Sequence, residues 1–542
     1  MTPDAAPAQS PRRRFPWQAV GAIALVFFLL WGFVAPRLGQ SYSPDSYGYL
    51  LLGRSLARDF RYESAAIRDF HGVRAAPQPS RSFPPAWPLL LAFVQRLTGA
   101  GAEVAVYAAL LTLAALVMAA WALARAAAGE RPGLIFLALP LFIGVCDPFQ
   151  NELASGRAIP LTLLLFLLVL AGFVRSLAAP PSRGLAAGIG AALALMFLTR
   201  FDQLPFCGLF ALLTGFLWIR RHGWARARAP LALMAAAAFA LWLPWGLRNL
   251  AVFGSPFASD NGDTARSLYT DLSAISWFAP GHAPGAWTSA PRAWLLQRGH
   301  YLKMNLRIIF AIHYMGHGLW LAALALGAAG WRFLQRDDRW LILAALLHPL
   351  AILAAVSLTP FHDFRYFSSS VLACALIIAL CAHRLTGAFP RLRQAVLAAA
   401  MLGLLAAPAA ATWRDFQGAV TWRTALGPVA DDSAGYYARL TPRLQTFIAP
   451  DDLVAAGNAD LLAYYSQRNV IYLPRNMTQG DDPDFLDWLA VWRPRFIWMD
   501  ADWVRRMGLT AWVIDTQDGM QLMRVPDSAR KPEQENRQGP TS

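Results

Sequence analysis

The sequence predicts a mostly α-helical, polytopic membrane protein with about eleven transmembrane helices and a small α/β domain at its C-terminal end. Three observations carry that prediction. The 542 residues are 56% hydrophobic and only 15% charged, with a mean hydropathy of +0.37; a soluble chain of this length carries more charge and shorter apolar runs. Apolar runs of about 20 residues, the length that crosses a bilayer, recur along most of the chain. After Trp413 the composition changes to that of a soluble domain.

In chain order, residues 1–16 are polar, Pro- and Arg-rich, and are expected to be a disordered cytoplasmic segment. The first apolar run, 17–35, follows Arg12-Arg13-Arg14. Positive charge stays cytoplasmic, so the next loop, 36–103, emerges on the outer face. No small-residue cleavage site follows the run, which is read as a retained helix. Within the loop, 84–97 is too short to cross and follows Pro84-Pro85, which suits a half-buried helix at the membrane interface. Further spans are read at 104–127, 132–147, 158–177, 184–199, 204–219, 229–247, 307–332, 340–359, 366–384 and 394–412. The membrane domain is thus 17–412, with a second long outer loop at 250–306.

The loops support this threading. One set carries Arg125, Arg175, Arg220, Arg221, Arg332, Arg336, Arg384 and Arg391; the alternate set carries Asp45, Asp59, Glu63, Asp147, Glu152, Asp260 and Asp363. Glu130, Asp337 and Asp338 are the exceptions. The alternation places the N-terminus inside and the C-terminus outside. It also explains the net charge of +15 without nucleic acid, since no basic stripe with interleaved aromatics lies outside these clusters. The four cysteines, Cys146, Cys207, Cys374 and Cys381, fall in or beside apolar spans and read as small buried hydrophobes.

Residues 413–526 read as an α/β domain: strands near 453–456, 469–473, 495–499, 511–515 and 520–525, with helices at 459–467 and 484–492. The polar tail 527–542 is expected to be disordered.

Polar residues of the acidic loops gather at helix ends. Asp45 and Tyr47 follow the first span, and Asp147 and Glu152 join the third and fourth. Arg200 tops the fifth, Arg248 and Asn249 close the seventh, and His362, Asp363, Arg365 and Tyr366 lie between the ninth and tenth. If these ends converge, they make a pocket of carboxylates and guanidiniums at the outer surface. A carboxylate there can take a proton from a hydroxyl acceptor as general base. Arginines can hold the phosphate of a lipid-linked donor through bidentate hydrogen bonds. Direct activation of the acceptor by Asp45, with no covalent intermediate, inverts the anomeric carbon.

On these residues the chain resembles the GT-C class of polytopic glycosyltransferases, in the branch of bacterial aminoarabinose transferases and protein O-mannosyltransferases. The resemblance rests on Ser43-Pro44-Asp45-Ser46-Tyr47 with Leu51-Leu52-Gly53-Arg54, on Phe83-Pro84-Pro85-Ala86-Trp87-Pro88, and on Trp245-Gly246-Leu247-Arg248-Asn249 with Phe253-Gly254-Ser255-Pro256. Arg365-Tyr366 and the stretch from Val454 to Leu473 extend it. It implies a polyprenyl-phosphate sugar donor, a glycan or lipid acceptor of the cell envelope, membrane-lipid surroundings, and a bacterial inner membrane with the C-terminal domain periplasmic. It further implies Asp45 as the catalytic acid and Tyr47, Asp147, Glu152, Arg200, Arg248, Asn249, His362, Arg365 and Tyr366 around the substrates. Many O-mannosyltransferases have an Asp-Glu pair where this chain has Asp45-Ser46, which leaves a second acid to be found elsewhere, with Asp147 and Glu152 as candidates. No cofactor is implied with certainty; some members of the class use a divalent metal, and no ligand spacing here decides the matter.

Plainer readings stand beside these. Asp45 is also a good helix N-cap, Asp147 and Glu152 are also ordinary solvated acids, and the arginines can snorkel to headgroups. A transporter or flippase of lipid-linked sugars is the alternative function, but it calls for polar residues at mid-membrane and repeated halves, neither of which the runs display. An enzyme like an O-antigen ligase or polymerase is a second, relying on outer Arg and His residues rather than a first-loop acid.

Overall fold

The computed structural model describes residues 21, 44–67, 76–128, 139, 142, 155–260, 262, 265, 286–310, 316–359, 364–406, 433–473 and 483–530. The runs 17–35 and 132–147, apart from three single residues, lie outside them, as do the positions of Asp147, Glu152 and His362.

Helix α1, Pro44–Asp59, starts on a proline and carries Asp45 in its first turn. A proline there forfeits no intrahelical hydrogen bond, and the acid complements the positive end of the helix dipole. Helix α2, Ala86–Thr98, follows Pro85 and ends at Gly99, whose φ of 67° is a left-handed C-cap. Its 13 residues span about 20 Å, too little for a hydrocarbon core of about 30 Å. One face buries Trp87, Leu91 and Val94, while Leu89, Phe93 and Leu97 form an exposed apolar stripe at helical spacing. That is the expected half-buried interfacial helix.

Six helices among the described residues are long and apolar enough to cross a membrane: α3 (Val104–Ala128), α4 (Ile159–Ala178), Phe201–His222, α7 (Trp224–Phe253), α10 (Arg336–Val356) and α11 (Ser368–Ala388). The third begins as a 3-10 turn, Phe201–Gln203, and continues as α6, Leu204–His222. Between α4 and α6 lies α5, Arg183–Thr199, apolar but shorter. Of the run expected at 307–332, the described residues lie mostly in α8, Pro291–Phe310, and α9, Gly316–Gly330, and residues 311–315 lie outside those described. The run at 394–412 starts as α12, Arg393–Met401, and passes into a π-helical turn, Leu402–Ala406. This is a multi-pass membrane protein.

The helices pack in sequence: α3 on α4, α4 on α5, α5 on α7, α10 on α11. Without a hydrophobic driving force inside lipid, close backbone approach is what holds such pairs together. It is tightest at Gly190 of α5, where an added Cβ would come 2.0 Å from the Met234 carbonyl oxygen of α7. Backbone cannot yield as a side chain can. Gly190→Ala is therefore expected to destabilise the bundle by about 1–3 kcal/mol, read as a lowered unfolding temperature in detergent; an unchanged midpoint would refute the tight contact. Two of the acidic residues that break the loop alternation are neutralised in place. Asp337 pairs with Arg221, and Asp338 takes two bonds of 2.7 and 2.9 Å from Arg384 while closing a capping box with Gln335.

The C-terminal part is a six-stranded sheet. Strands β4 (Leu453–Ala456), β5 (Asn469–Tyr472) and β6 (Phe496–Asp500) run parallel, and β7 (Val513–Gln517) and β8 (Met520–Arg524) add an antiparallel hairpin. The hairpin turns on Asp518-Gly519, both at positive φ, the pair that a two-residue hairpin favours. Helices α13 (Ser433–Phe447) and α14 (Ala459–Ser466) cover one face; α15 (Pro483–Trp492) and α16 (Ala501–Arg506) cover the other with Phe485, Trp488 and Trp503. Both faces are buried, so the parallel strands read as unbroken apolar runs.

The sixth strand comes from elsewhere. In the first long loop, β1 (Glu63–Ser64) pairs with β3 (Gln78–Pro79), and β2 (Ala66–Ile67), between them, runs parallel to β5 as the sheet's edge. The Val470 amide donates to Ala65 at 2.8 Å. Loop and domain share one sheet.

Candidate active site

The first turn of α1 is held from several directions. Asp45 is half-buried and stands inside the helix rather than ahead of it. Ser46, fully buried, donates to the Ser155 carbonyl at 2.5 Å, and the Trp87 indole donates to that of Gly156 at 3.1 Å. The segment before α4 is thereby drawn against α1. Tyr47 points to the C-terminal domain: its hydroxyl lies 3.2 Å from that of Tyr465, and its ring centroid 5.4 Å from that of Tyr464. Two turns on, Arg54 lies 3.8 Å over the Tyr464 ring and donates to its carbonyl at 2.8 Å. Burial pushes the Tyr464 phenol up, against the pull of Arg54. At Gly48 an added Cβ would meet Phe83 at 2.5 Å and Asp460 of α14 at 3.5 Å. Asp460 is buried and accepts a hydrogen bond from Tyr472. Domain and helix α1 thus share one packed seam.

Tyr49, one turn beyond Asp45 on the same helix face, points the other way. It packs against Phe83 with the rings tilted and their centroids 4.4 Å apart, and its phenol interacts with Arg200. Arg200 grips Asp202 through Nε at 3.2 Å and Nη2 at 2.5 Å, and its guanidinium lies 4.8 Å from the Tyr366 ring. Burial opposes the Arg200 charge, but the Asp202 carboxylate outweighs it with help from the phenols of Tyr366 and Tyr49, and its pKa is raised.

Arg248, at the end of α7, joins that helix to the first loop. It donates to the Ser80 carbonyl at 2.7 Å, the Tyr62 carbonyl at 3.1 Å and Asn249 Oδ1 at 2.9 Å, with the Tyr62, Trp245 and Phe253 rings around it. Burial drives the Tyr62 phenol well up despite Arg248, so it stays protonated and donates to the Phe83 carbonyl at 2.8 Å. Asn249, fully buried, donates to Ala258 at 3.4 Å across the turn that Gly254 opens at φ 71°. Beyond the turn, Asp260 pairs with Arg81 of the first loop at 3.2 Å.

The structure places Tyr47 against the C-terminal domain, Arg200 with Asp202 and Tyr366, and Arg248 and Asn249 at the join of α7 with the first loop and the turn beyond it, while Asp45 lies in the first turn of α1. Arg365 belongs to the turn before α11, Phe364–Phe367, and its side chain is not among those described. Asp202 is singled out in sequence beside Arg200 at the top of the fifth span; three others, Tyr49, Asp460 and His348, escape a reading by motif. Tyr49 was legible through its spacing of four from Asp45. Asp460 sits in the first turn of α14 with no sequence signal that sets it apart. His348 corrects the expectation of wholly apolar spans: it is buried within α10 and hydrogen-bonded on both ring nitrogens. Among the described residues no group of three or more His, Cys, Asp or Glu is placed to hold a metal ion.

No family model matches the sequence, and no curated protein matches it either. Solved structures do. ArnT from Cupriavidus metallidurans, in a crystal structure with undecaprenyl phosphate bound, superposes with a TM-score of 0.57 at 15% identity over 96% of this chain and 99% of that one. The archaeal oligosaccharyltransferase AglB from Archaeoglobus fulgidus, in complex with an inhibitory peptide and a dolichol-phosphate, gives 0.54 at 10% identity over 94% of this chain and 76% of that one. The chain has the GT-C-type membrane glycosyltransferase fold.

Proposed function

We propose that this protein is an inverting glycosyltransferase of a bacterial inner membrane, moving one sugar from a polyprenyl-phosphate carrier to a glycan or lipid acceptor at the periplasmic face. The observation that carries the reading is the setting of Asp45: a half-buried carboxylate in the first turn of α1, in a chain with the GT-C-type fold. The lipid phosphates bound to ArnT and AglB support a lipid-linked donor.

In this mechanism the acceptor hydroxyl oxygen attacks the anomeric carbon while Asp45 takes its proton. The bond from that carbon to the phosphate oxygen breaks, and polyprenyl phosphate leaves with the electron pair. Guanidiniums stabilise the charge that develops on the leaving phosphate. Arg200 and Arg365 fill that role. Arg248, whose donors reach Ser80 and Tyr62, orders the loop that flanks the phosphate. Tyr47, Asn249 and Tyr366 shape the site, and Asp147, Glu152 and His362 are assigned to its substrate-facing rim.

The test is a transfer assay with purified protein, polyprenyl-phosphate sugars and membrane lipid extract, the products identified by mass spectrometry. A glycosylated acceptor with release of polyprenyl phosphate is expected. Movement of intact lipid-linked sugar across vesicle membranes, with no new glycosidic bond, would replace this reading with the transporter.

A further inference from the structure

A continuous polar chain runs from Arg200, at the junction of α5 and α6, to Ser369 of α11. Asp202 is a carboxylate and can only accept hydrogen bonds. Gln203 therefore turns its amide N–H toward Asp202, at 2.9 Å, which leaves its carbonyl oxygen facing His348 Nε2 at 2.6 Å. That contact requires a proton on Nε2. The other nitrogen, Nδ1, lies 2.6 Å from the Ser369 hydroxyl and accepts from it. The chain thus has one polarity: Ser369 donates to His348, His348 to Gln203, Gln203 to Asp202, and Asp202 receives Arg200.

Each link is buried. His348, Gln203 and Ser369 are 2%, 3% and 2% exposed, and the imidazole is clamped by Phe166 and Phe206 at 4.5 and 4.6 Å. The parts come from α10, α11 and the junction of α5 and α6. Burying polar groups among apolar helices is costly unless every one is satisfied, and intramembrane ionisable residues mark function. At the end of the chain the Asp202 pair engages Nε and Nη2 of Arg200, which leaves Nη1 outside the pair, and the guanidinium carbon lies 4.8 Å from the Tyr366 ring.

We propose that His348 is a positioning residue, fixing Arg200 through Gln203 and Asp202 as the anion-binding group for the phosphate of the lipid donor. The proposal rests on the transferase reading for its kinetic readout, and on binding for an independent one. Without His348, Gln203 loses its partner and is free to rotate, and Asp202 no longer holds Arg200 in one orientation. His348→Gln keeps an N–H for Gln203 and an oxygen that can receive the Ser369 hydroxyl; His348→Leu keeps neither.

Three quantities decide it: donor KM and kcat, the Kd for undecaprenyl phosphate, and the unfolding temperature, for wild type and both variants. His348→Leu is expected to raise donor KM and the Kd about tenfold while kcat changes less than about threefold. His348→Gln is expected to return both to within about threefold of wild type. Unchanged affinity in His348→Leu would overturn the proposal. So would an equal loss in both variants that tracks the unfolding temperature, since that is a structural role only. If the wild type transfers no sugar, the transferase reading falls, while the Kd comparison still decides the role of His348. Should His348→Leu not fold, nitrogen-15 NMR of histidine-labelled wild type settles the polarity: a proton on Nε2 is expected, and a proton on Nδ1 alone would break the chain.

Discussion

Asp45→Asn is expected to lower sugar transfer by about two to four orders of magnitude, the usual contribution of a positioned general base. The amide keeps the shape of the carboxylate but cannot take the acceptor proton. Folding should survive. Asp45 lies in the first turn of α1, where its charge contributes up to about 1 kcal/mol through the helix dipole. The segment is also held by Ser46, Tyr47 and Trp87. Initial rates and unfolding temperatures measured on the same preparations separate the two effects. Equal rates would remove Asp45 as the base and turn attention to Asp147 and Glu152.

The largest effect on stability is expected at Asp202. Its side chain is 8% exposed and that of Arg200 14%, so the pair is largely removed from water. Such a pair adds little net stability, but removing one partner strands the other charge in apolar surroundings, at about 3–5 kcal/mol. Asp202→Ala should show that loss in denaturant titrations in detergent. Arg200→Met with Asp202→Ala should recover much of it, because no unpaired charge remains. A double-mutant cycle isolates the coupling. A single-variant loss below about 1 kcal/mol would mean that water reaches Arg200, as for a surface pair.

The elements that sequence made legible share a physical basis. Apolar length and loop charge act locally, and α3, α4, α7, α10 and α11 lie where those signals placed them. The interfacial α2 follows from a double proline before a short amphipathic run. In the C-terminal domain, the apolar runs marked β4, β5 and β6 within a residue or two. Signals that depend on partners failed. Ala66-Ile67 is two residues long and takes its identity as a strand only from Val470 and Ile471, about four hundred positions away.

The site divides the same way. Asp45, Arg200, Arg248 and Asn249 stand out in sequence as candidates because polar residues next to apolar runs are rare. What each touches was not. Arg248 reads from sequence as a phosphate ligand and is found donating to the carbonyls of Ser80 and Tyr62. His348 sits among Ala and Leu, and its role exists only because Gln203 and Ser369 arrive from other helices.

Sequence alone determined that this chain is a helical membrane protein with an acid at the start of its first long loop and an α/β domain at its end. Hydrophobic length, charge alternation and strand periodicity are properties of neighbours along the chain. Tertiary structure alone decided that the α/β domain shares a sheet with the first loop, that α14 packs on the helix bearing Asp45, and that a buried histidine backs the Arg200–Asp202 pair. Those are contacts between distant segments, and their free energy depends on partners that no local pattern encodes.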